Sequence, residues 1–423
     1  MKKTDRERAV SQGAGALALV ATVATTVREG LHEVVVKAGL GVLAAMLELD
    51  RDLLCGPRYE HSDHGASRVG HAATSELAMG GRRVQVRRPR VRTADGRELP
   101  LPTWEHFAGD DPLAARAVEQ MLIGVATRKY HRSLEPLGAD VKARGTSKSA
   151  VSRRFVGATA AQVEEQLARP LGDMKLAALM LDGIAFGEHV ILIALGIDEG
   201  GKKHVLGLRE GATENATTCR ELLVNLVERG LDTTRSLLVA IDGGKALAKA
   251  VRAVFGKRAL IQRCQVHKKR NVLDQLPDRM RASVSAAMTQ AYGSRDKPHA
   301  LRLLNNLERR LAKEHPGAAA SLREGLDETL TVLGVGLPRA LERTLATTNP
   351  IENLNSVARR VCGRVTRWRG GEMIVRWMAG AMGEAAKGFR RLKGWAGMPA
   401  LIAWLRRNDE AIDGNSKVDV RAA

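Results

Sequence analysis

Cysteine is scarce in this chain. The four residues, Cys55, Cys219, Cys264 and Cys362, lie far apart, so no disulfide framework is expected and a reducing compartment fits better. Acid is short as well: 47 Asp and Glu stand against 67 Lys and Arg in 423 residues, a net charge of +20. A GC-rich genome would inflate Arg over Lys, but it would not produce that excess. The balance asks for a polyanionic partner. Nucleic acid is the first choice, because Arg pairs with phosphate bidentately, and an anionic membrane surface is the second. Long apolar runs are missing too. Gly13–Thr26 follows a basic start and loosely imitates a signal peptide, but it is Ala/Thr-rich and its periodicity runs on through Val34, Val35, Leu40 and Leu43. A helix is expected there rather than a leader, and the stretch is too short and too weakly apolar to span a membrane.

What is present divides into six stretches: a helical region and loop over 1–75, a basic hairpin over 76–105, a helix-turn-helix region over 106–170, a first core part over 171–276, a helical stretch over 277–345, and a last core part over 346–423 with Arg- and Trp-rich helices. Residues 55–75 are rich in Gly, His and Ser and read as a loop. His61, His64 and His71 lie close together there. With Cys55 the only other soft donor nearby, a polar loop is preferred over a metal site. "GRRVQVRRPRVRTADGRELPLP" (81–102) alternates Val with Arg and carries an Asp95-Gly96 turn, the pattern of a hairpin. Arg82, Arg83, Arg87, Arg88, Arg90, Arg92 and Arg97 crowd that ribbon. It reads as a phosphate-contacting element, with Arg87, Arg88 and Arg90 as candidate contacts, or as an edge ribbon protected by charge.

In "GTSKSAVSRRFVG", Thr146 or Ser147 can cap a short helix bearing Lys148, Ser149, Ser152, Arg153 and Arg154. A helix, a turn with Gly, and a second helix with Ser and Arg early in it is the helix-turn-helix pattern, whose second helix enters the major groove. A plain helical hairpin would look similar.

From Lys175 the character changes. "KLAALMLDGIAFG", "EHVILIALGID" and "KHVLGLREG" read as three strands, then an amphipathic helix, the buried strand "RSLLVAIDGG", a second helix and a fifth strand, "RALIQRC". This β-β-β-α-β-α-β order is that of an RNase H-like α/β core with a mixed five-stranded sheet, in which strands one and four are neighbours. Asp182 and Asp242 end those two strands. Two close carboxylates repel unless a hard cation removes the conflict. Mg²⁺ does so while keeping positions for water and phosphate, and two ions about 4 Å apart activate a water and steady a leaving oxygen. The third carboxylate expected is Glu352 in "TTNPIENLNSVARRVCGRVTRWRGGEM". Asn349 is the expected N-cap and Pro350 the first helical residue. Glu352 could then be the returning arm of a capping box. Alternatively, it leads a polar stripe with Asn355, Ser356 and Arg359, on a helix that lays Arg359, Arg360, Arg364, Arg367 and Arg369 along a surface.

Asp182, Asp242 and Glu352, together with "DGGKAL", "CQVH" and "NPIENLNSVARRVCGRVTRWRGGEMIVRW", resemble the Mutator-type transposases of bacterial insertion sequences over most of the chain. The resemblance also takes in "GVATRKY" and "GTSKSAVSRRF". It implies a DDE-type enzyme with those three acids as metal-binding triad, two Mg²⁺ ions with Mn²⁺ able to substitute, and an all-helical insertion at about 277–345, a stretch that reads helical by itself. Water would cut a strand at the element's end, and the freed 3′-hydroxyl would attack target DNA with no covalent protein–DNA intermediate. The partners implied are double-stranded DNA, as terminal inverted repeats and target, and a second protomer to pair the two ends. No membrane is involved, and the place is the bacterial cytoplasm at the nucleoid.

Cys264-x-x-His267 follows the fifth strand. A zinc site would need two further ligands, and none follow at matching spacing. A redox motif would need a second cysteine. The resemblance to the Mutator-type transposases, which carry this Cys-x-x-His pair as a signature, implies a place near DNA for Cys264 and His267. By their chemistry alone His267, Lys268, Lys269 and Arg270 would present donors to phosphates, with simple packing of the Cys–His pair as the alternative. Trp368, between Arg367 and Arg369, is a candidate for stacking on a base, whereas Trp377 sits in apolar periodicity and is expected in a core. Two other functions compete: an RNase H-like nuclease or resolvase without transposition activity, which rarely needs a sequence-reading module, and a domesticated DNA-binding protein, which needs no intact acid set.

Overall fold

The computed structural model describes residues 33–57, 65–79, 81–109, 112–134, 141–211 and 215–421. Gly13–Thr26, His61 and His64 lie outside the described residues. The chain divides into two units, Met1–Ala158 and Thr159–Ala423.

In the first unit a helix, α1, runs over 33–55. Strands β1 (Ala66–Met79), β2 (Arg82–Thr93) and β3 (Glu98–Leu99) follow. Thr93 N–H donates to Arg97 O across the Asp95-Gly96 turn, with Gly96 at φ +83°. The main partner of β2 is β1, not β3. The two pair antiparallel from Ala66↔Thr93 to Met79↔Arg82, with bulges after Val69 and Ala72. Half of the stretch read as a loop is therefore strand. Its Gly, His and Ser content hid a ladder whose hydrogen bonds come from a partner elsewhere in the chain. His71 lies on β1, with Nε2 3.0 Å from Glu48 Oε1. On β2, Val84, Val86 and Val91 are buried while Arg83, Gln85 and Arg87 face outward.

Helices α2 (Pro102–Gly109) and α3 (Pro112–Leu122), a 3₁₀ turn (Thr127–Ser133), the two-residue β4 (Ala143–Arg144, paired with β2) and the first half of α4 (Lys148–Ala168), whose residues from Thr159 belong to the second unit, complete this part. Ser147 caps α4 by accepting from Ala150 N–H at 3.2 Å. The helix is 21 residues long rather than short, because Val151, Phe155 and Thr159 continue a buried i, i+4 stripe past the first turns.

The second unit is a mixed α/β fold. Its strands are β5 (Leu176–Phe186), β6 (His189–Asp198), β7 (Lys203–Gly211), β8 (Leu237–Ile241) and β9 (Ala259–Arg263). They lie in the order β7-β6-β5-β8-β9. The first three form an antiparallel meander, and β8 and β9 add in parallel. Helices α5 (Ala216–Glu228) and α6 (Lys245–Phe255) are the crossovers. Alternation along the strands decides which side chains go where. Leu179 and Leu181 of β5, and Leu237, Val239 and Ile241 of β8, enter the core under α5 and α6. The intervening positions, Asp182 among them, turn to the opposite face.

Next come α7 (Gln265–Leu273), α8 (Asp278–Tyr292), α9 (Lys297–Ala312), α10 (Pro316–Arg323) and α11 (Arg339–Leu345). Between Val272 and Leu333 this stretch builds an apolar core of its own. Three helices finish the described chain: α12 (Asn349–Cys362), α13 (Gly371–Lys387) and α14 (Met398–Arg421).

Candidate active site

Leu181 of β5 is the register partner of Ile241 of β8 in the parallel ladder. The next residues are Asp182 and Asp242. Asp242 follows the end of β8 as read, but Asp182 does not end its strand, because β5 stays paired with β6 as far as Phe186. Asp182 is 9% exposed. Its Oδ1 accepts its neighbour Gly183 N–H at 3.0 Å, and its Oδ2 accepts Asn355 Nδ2 at 2.7 Å. Burial, followed by the Asp242 carboxylate, pushes the Asp182 carboxyl up to about 6, and Glu352 pushes the same way. Two acids, 60 and 170 residues further along the sequence (242 − 182 and 352 − 182), therefore bear on Asp182 electrostatically.

Asp242 is held by the Asp-Gly-Gly turn. Its Oδ1 accepts Gly244 N–H at 2.8 Å, and Gly243 sits at φ +120°, a conformation that excludes an ordinary side chain. Arg263, the buried last residue of β9, locks the turn from below. Its Nη1 donates to Gly243 O at 2.9 Å and its Nε to Glu328 Oε2 at 2.5 Å.

Glu352 comes from the first turn of α12. The N-cap is Thr348, one residue earlier than read, and Pro350 is accordingly the second helical residue. No capping box forms. The Thr348 N–H donates to Cys264 Sγ at 3.4 Å, while the Thr348 hydroxyl donates to Glu352 Oε1 at 2.6 Å. Asn355 does not lie on an open polar stripe either. It is 1% exposed and falls among Ile351, Leu354, Ala358 and Val361 on the buried face. Thr348 and Asn355 are thus two site residues that sequence reasoning missed. The available signal was one amide inside an otherwise apolar i, i+3, i+4, i+7 stripe. Truncating Asn355 to Ala leaves a charged, buried carboxylate short of a donor. A loss of about 1–3 kcal/mol is expected in thermal unfolding at pH 8, and a smaller one at pH 5, where Asp182 keeps its proton. Equal losses at both pH values would show that the bond does not serve the charged form.

Cys264, at the N-cap of α7, is fully buried, and His267 stands one turn along. His267 Nδ1 lies 3.4 Å from the Thr348 hydroxyl and 3.7 Å from Glu352 Oε1. The Cys264 thiol raises the imidazole to about 9, against burial. Burial opposes the Cys264 thiolate, but His267 and Thr348 outweigh it and leave the thiol below its usual range. Two residues expected at DNA are consequently elsewhere. Cys264 has no exposed surface. Lys268 is 5% exposed, and its Nζ donates to Ser321 O and Glu324 O, 2.6 Å each, holding α7 to the end of α10. Lys269 is half-buried and bonds Thr289 Oγ1 at 2.9 Å, and Arg270 is exposed on the same helix.

The arginines divide similarly. Helix α12 stops at Cys362, so only Arg359 and Arg360 lie on it. Arg364, Arg367 and Arg369 are exposed in the segment leading to α13. Trp368 is half-buried, edge-on to Phe186 with centroids 5.8 Å apart, and Trp377 is buried. A second basic surface went unread: a cleft of about 880 Å³ lined by Lys203, Arg343, Arg360, Arg390, Arg391 and Lys393 among others. Arg391 stacks on the Trp395 ring at 4.3 Å and Lys203 on the Phe389 ring at 4.8 Å. In the first unit Lys148, Ser149, Ser152, Arg153 and Arg87 are exposed and Arg154 half-buried. Arg88 and Arg90 are tied to Glu98, with Arg90 Nη2 at 2.7 Å, and Arg88 also lies over Trp104. Part of the repulsion along that ribbon is therefore relieved by the protein's own carboxylate, without any anion.

The family model described as Transposase, Mutator family matches residues 11–391. The chain belongs to the Mutator family of transposases. It is 27% identical over 355 residues to the transposase for insertion sequence element ISRM5 of Rhizobium meliloti (strain 1021), covering 83% of this chain and 86% of that one. It is 32% identical over 286 residues to the transposase for IS406 of Burkholderia multivorans, covering 64% and 69% of the two chains. Against the transposase for IS256 in transposon Tn4001 of Staphylococcus aureus it is 29% identical over 289 residues, with the same coverages. Among the described residues of this family member, no helix is long and apolar enough to cross a membrane.

Proposed function

We propose that the protein is a DDE-type DNA transposase. In this reading the protein binds the terminal inverted repeats of its element, and its RNase H-like core, interrupted by the helical stretch over 277–345, cuts one strand and joins the freed 3′ end to target DNA. The observation that carries the reading is that Asp182, inside β5 just past the last β5–β8 pair, is acted on by the carboxylates of Asp242, at the end of β8, and Glu352, in the first turn of α12.

The donor set suits a hard divalent cation. It offers carboxylate oxygens from three residues, one of them strained toward protonation, and Asn355 Oδ1 is buried with no hydrogen-bond partner among the described residues. Asp182, Asp242 and Glu352 would hold two Mg²⁺ ions, for which Mn²⁺ can substitute. Bound there, such ions supply an activated water and neutralise charge on the phosphodiester. The rest falls to the chain itself. Asn355 orients Asp182, the Thr348 hydroxyl holds Glu352, and Arg263 fixes the turn that carries Asp242. Hydrolysis breaks the bond between phosphorus and the 3′ oxygen. That 3′-hydroxyl then attacks a target phosphorus and displaces the target's own 3′ oxygen, so no Ser or Tyr nucleophile is needed. Arg359, Arg360, Arg364, Arg367 and Arg369 suit phosphate contacts beside the acids. The exposed start of α4 and Arg87 suit recognition of the element's ends. Pairing two ends calls for a dimer on DNA, in the bacterial cytoplasm.

The test is nicking of a duplex carrying the DNA that flanks this gene, with Mg²⁺, followed on a denaturing gel. Cuts leaving 3′-hydroxyl ends are expected. Cleavage in EDTA, or a covalent protein–DNA adduct, would refute the mechanism. The basic cleft makes a separate prediction. Replacing Arg343, Arg390, Arg391 and Lys393 with Ala should weaken binding to random-sequence duplex DNA. The slope of log affinity against log salt should flatten by about three to four if each residue meets one phosphate. Anisotropy titrations at several salt concentrations measure this, and an unchanged slope would remove the cleft from the interface.

A further inference from the structure

The transposition chemistry proposed above uses Glu352 but has no use for a sulfur atom, and a sulfur atom stands beside that carboxylate. Cys264 Sγ, a His267 ring nitrogen and a Glu352 oxygen all lie within 4.8 Å of one another. His267 Nδ1 and Glu352 Oε1, 3.7 Å apart, are already near the spacing of two ligands on a tetrahedral zinc ion with bonds of about 2.0–2.3 Å. We propose that Cys264, His267 and Glu352 form a second cation site, selective for a thiophilic ion such as Zn²⁺, and that filling it withdraws Glu352 from Asp182 and Asp242 and stops cleavage.

The two donor sets differ in kind. Asp182 and Asp242 offer only oxygen, which suits Mg²⁺, whereas thiolate and imidazole select zinc over magnesium. The geometry is also that of a built site. Cys264 is pinned where β9 meets α7, its N–H donating to Ile241 O at 2.8 Å, and Thr348 N–H points at its sulfur. His267 follows at i+3, on the same side of the first turn of α7. Glu352 arrives from α12. The sulfur side is closed, while the His267 and Glu352 side chains keep 22% and 35% of their surface. A water can therefore take the fourth position. On binding, Glu352 exchanges the Thr348 hydroxyl for the ion, and any proton on the thiol and the extra proton of the imidazolium are released to solvent. The glutamate that completes the set is invisible at conventional spacing, because it lies 85 residues beyond the histidine (352 − 267).

The inference rests on the proposed role of Glu352, so the probe is chosen to be independent of DNA. Full-length protein carrying Asp182→Asn is titrated with Co²⁺ alone. One tight equivalent and a near-ultraviolet thiolate-to-cobalt charge-transfer band are expected, and Zn²⁺ should bleach the band. Cys264→Ala should abolish the band, and Glu352→Gln should weaken Co²⁺ binding by about ten- to a hundredfold. If Cys264→Ala does not fold, His267→Gln serves, with the same weakening expected. Absence of the band, or its survival in Cys264→Ala, overturns the proposal. In the wild type, Zn²⁺ should inhibit Mg²⁺-supported nicking. If the cobalt site is present but Glu352→Gln cuts DNA normally, the catalytic role of Glu352 falls and with it the inhibition. If no cobalt binds while Asp182→Asn abolishes nicking, the transposase reading stands and the zinc site falls.

Discussion

Asp182→Asn is expected to abolish metal-dependent nicking and, without divalent ions, to raise the melting temperature at neutral pH. Burial and the Asp242 carboxylate lift the Asp182 carboxyl from 3.8 to about 6 in the folded chain. A shift of roughly two units costs on the order of 3 kcal/mol when the group is charged. The sign follows from where the proton sits. Below about pH 4 both folded and unfolded chains are protonated at this residue and it costs nothing. Between about 4 and 6 the unfolded chain loses its proton first, and folding stability falls. Above 6 the whole cost is present. Asn carries no charge at any pH, so the variant should melt on the order of 5 °C higher at pH 8 in EDTA and at about the same temperature as wild type at pH 4. Saturating Mn²⁺ should reverse the order, since only the wild type gains from binding the ion. Nicking should fall about a thousandfold or more, the effect of losing several kcal/mol of transition-state stabilisation. Identical melting curves at pH 8 would mean that the acids do not strain one another and that the proposed site is misassigned.

Arg263→Ala should have the opposite effect on stability and the same direction of effect on activity. The guanidinium is 7% exposed and bonds both Glu328 and the carbonyl of Gly243. Glu328 retains Arg252 as a partner, but it loses the buried half of its pairing, and a loss on the order of 3 kcal/mol is expected. Around the missing side chain, Gly325 is already packed so closely that a Cβ there would fall 2.3 Å from Arg263 Nε, so truncation opens a hole rather than relieving a clash. With the Gly243 carbonyl released, the turn that carries Asp242 loosens, and nicking should drop even at temperatures where the variant is folded. Lysine has one compact head and cannot serve both partners, so Arg263→Lys should fall between the alanine variant and wild type in both assays. An alanine variant as active as wild type per folded molecule would show that the turn needs no support from below.

Much of this was legible along the chain. The strands β5, β6 and β8 are nearly continuous apolar runs, and their order was enough to make β5 and β8 neighbours. Other features were hidden for local reasons. β1 carries His, Ser and Gly because β2 supplies its ladder. Thr348 and Asn349 are both good caps, and sequence alone does not choose between them. Asn355 looked like part of an exposed stripe because Glu352, Ser356 and Arg359 are polar neighbours at helical spacing, yet the apolar residues on either side turn it inward against Asp182. Lys268 and Cys264 looked like part of a cationic cluster, and packing withdrew both from the surface.

The amino-acid order by itself determined the periodicities of the core strands and helices, where the Asp-Gly turns fall, and a charge balance that calls for a polyanion. These are short-range properties, set by neighbours a few residues away. The convergence was decided only in three dimensions. Strand alternation turned Asp182 toward α12, the parallel register set Asp242 beside it, and the packing of α12 chose Asn355 for the buried face and brought Glu352 to Cys264 and His267. Those contacts join residues separated by tens to hundreds of positions, and no local pattern encodes such distances.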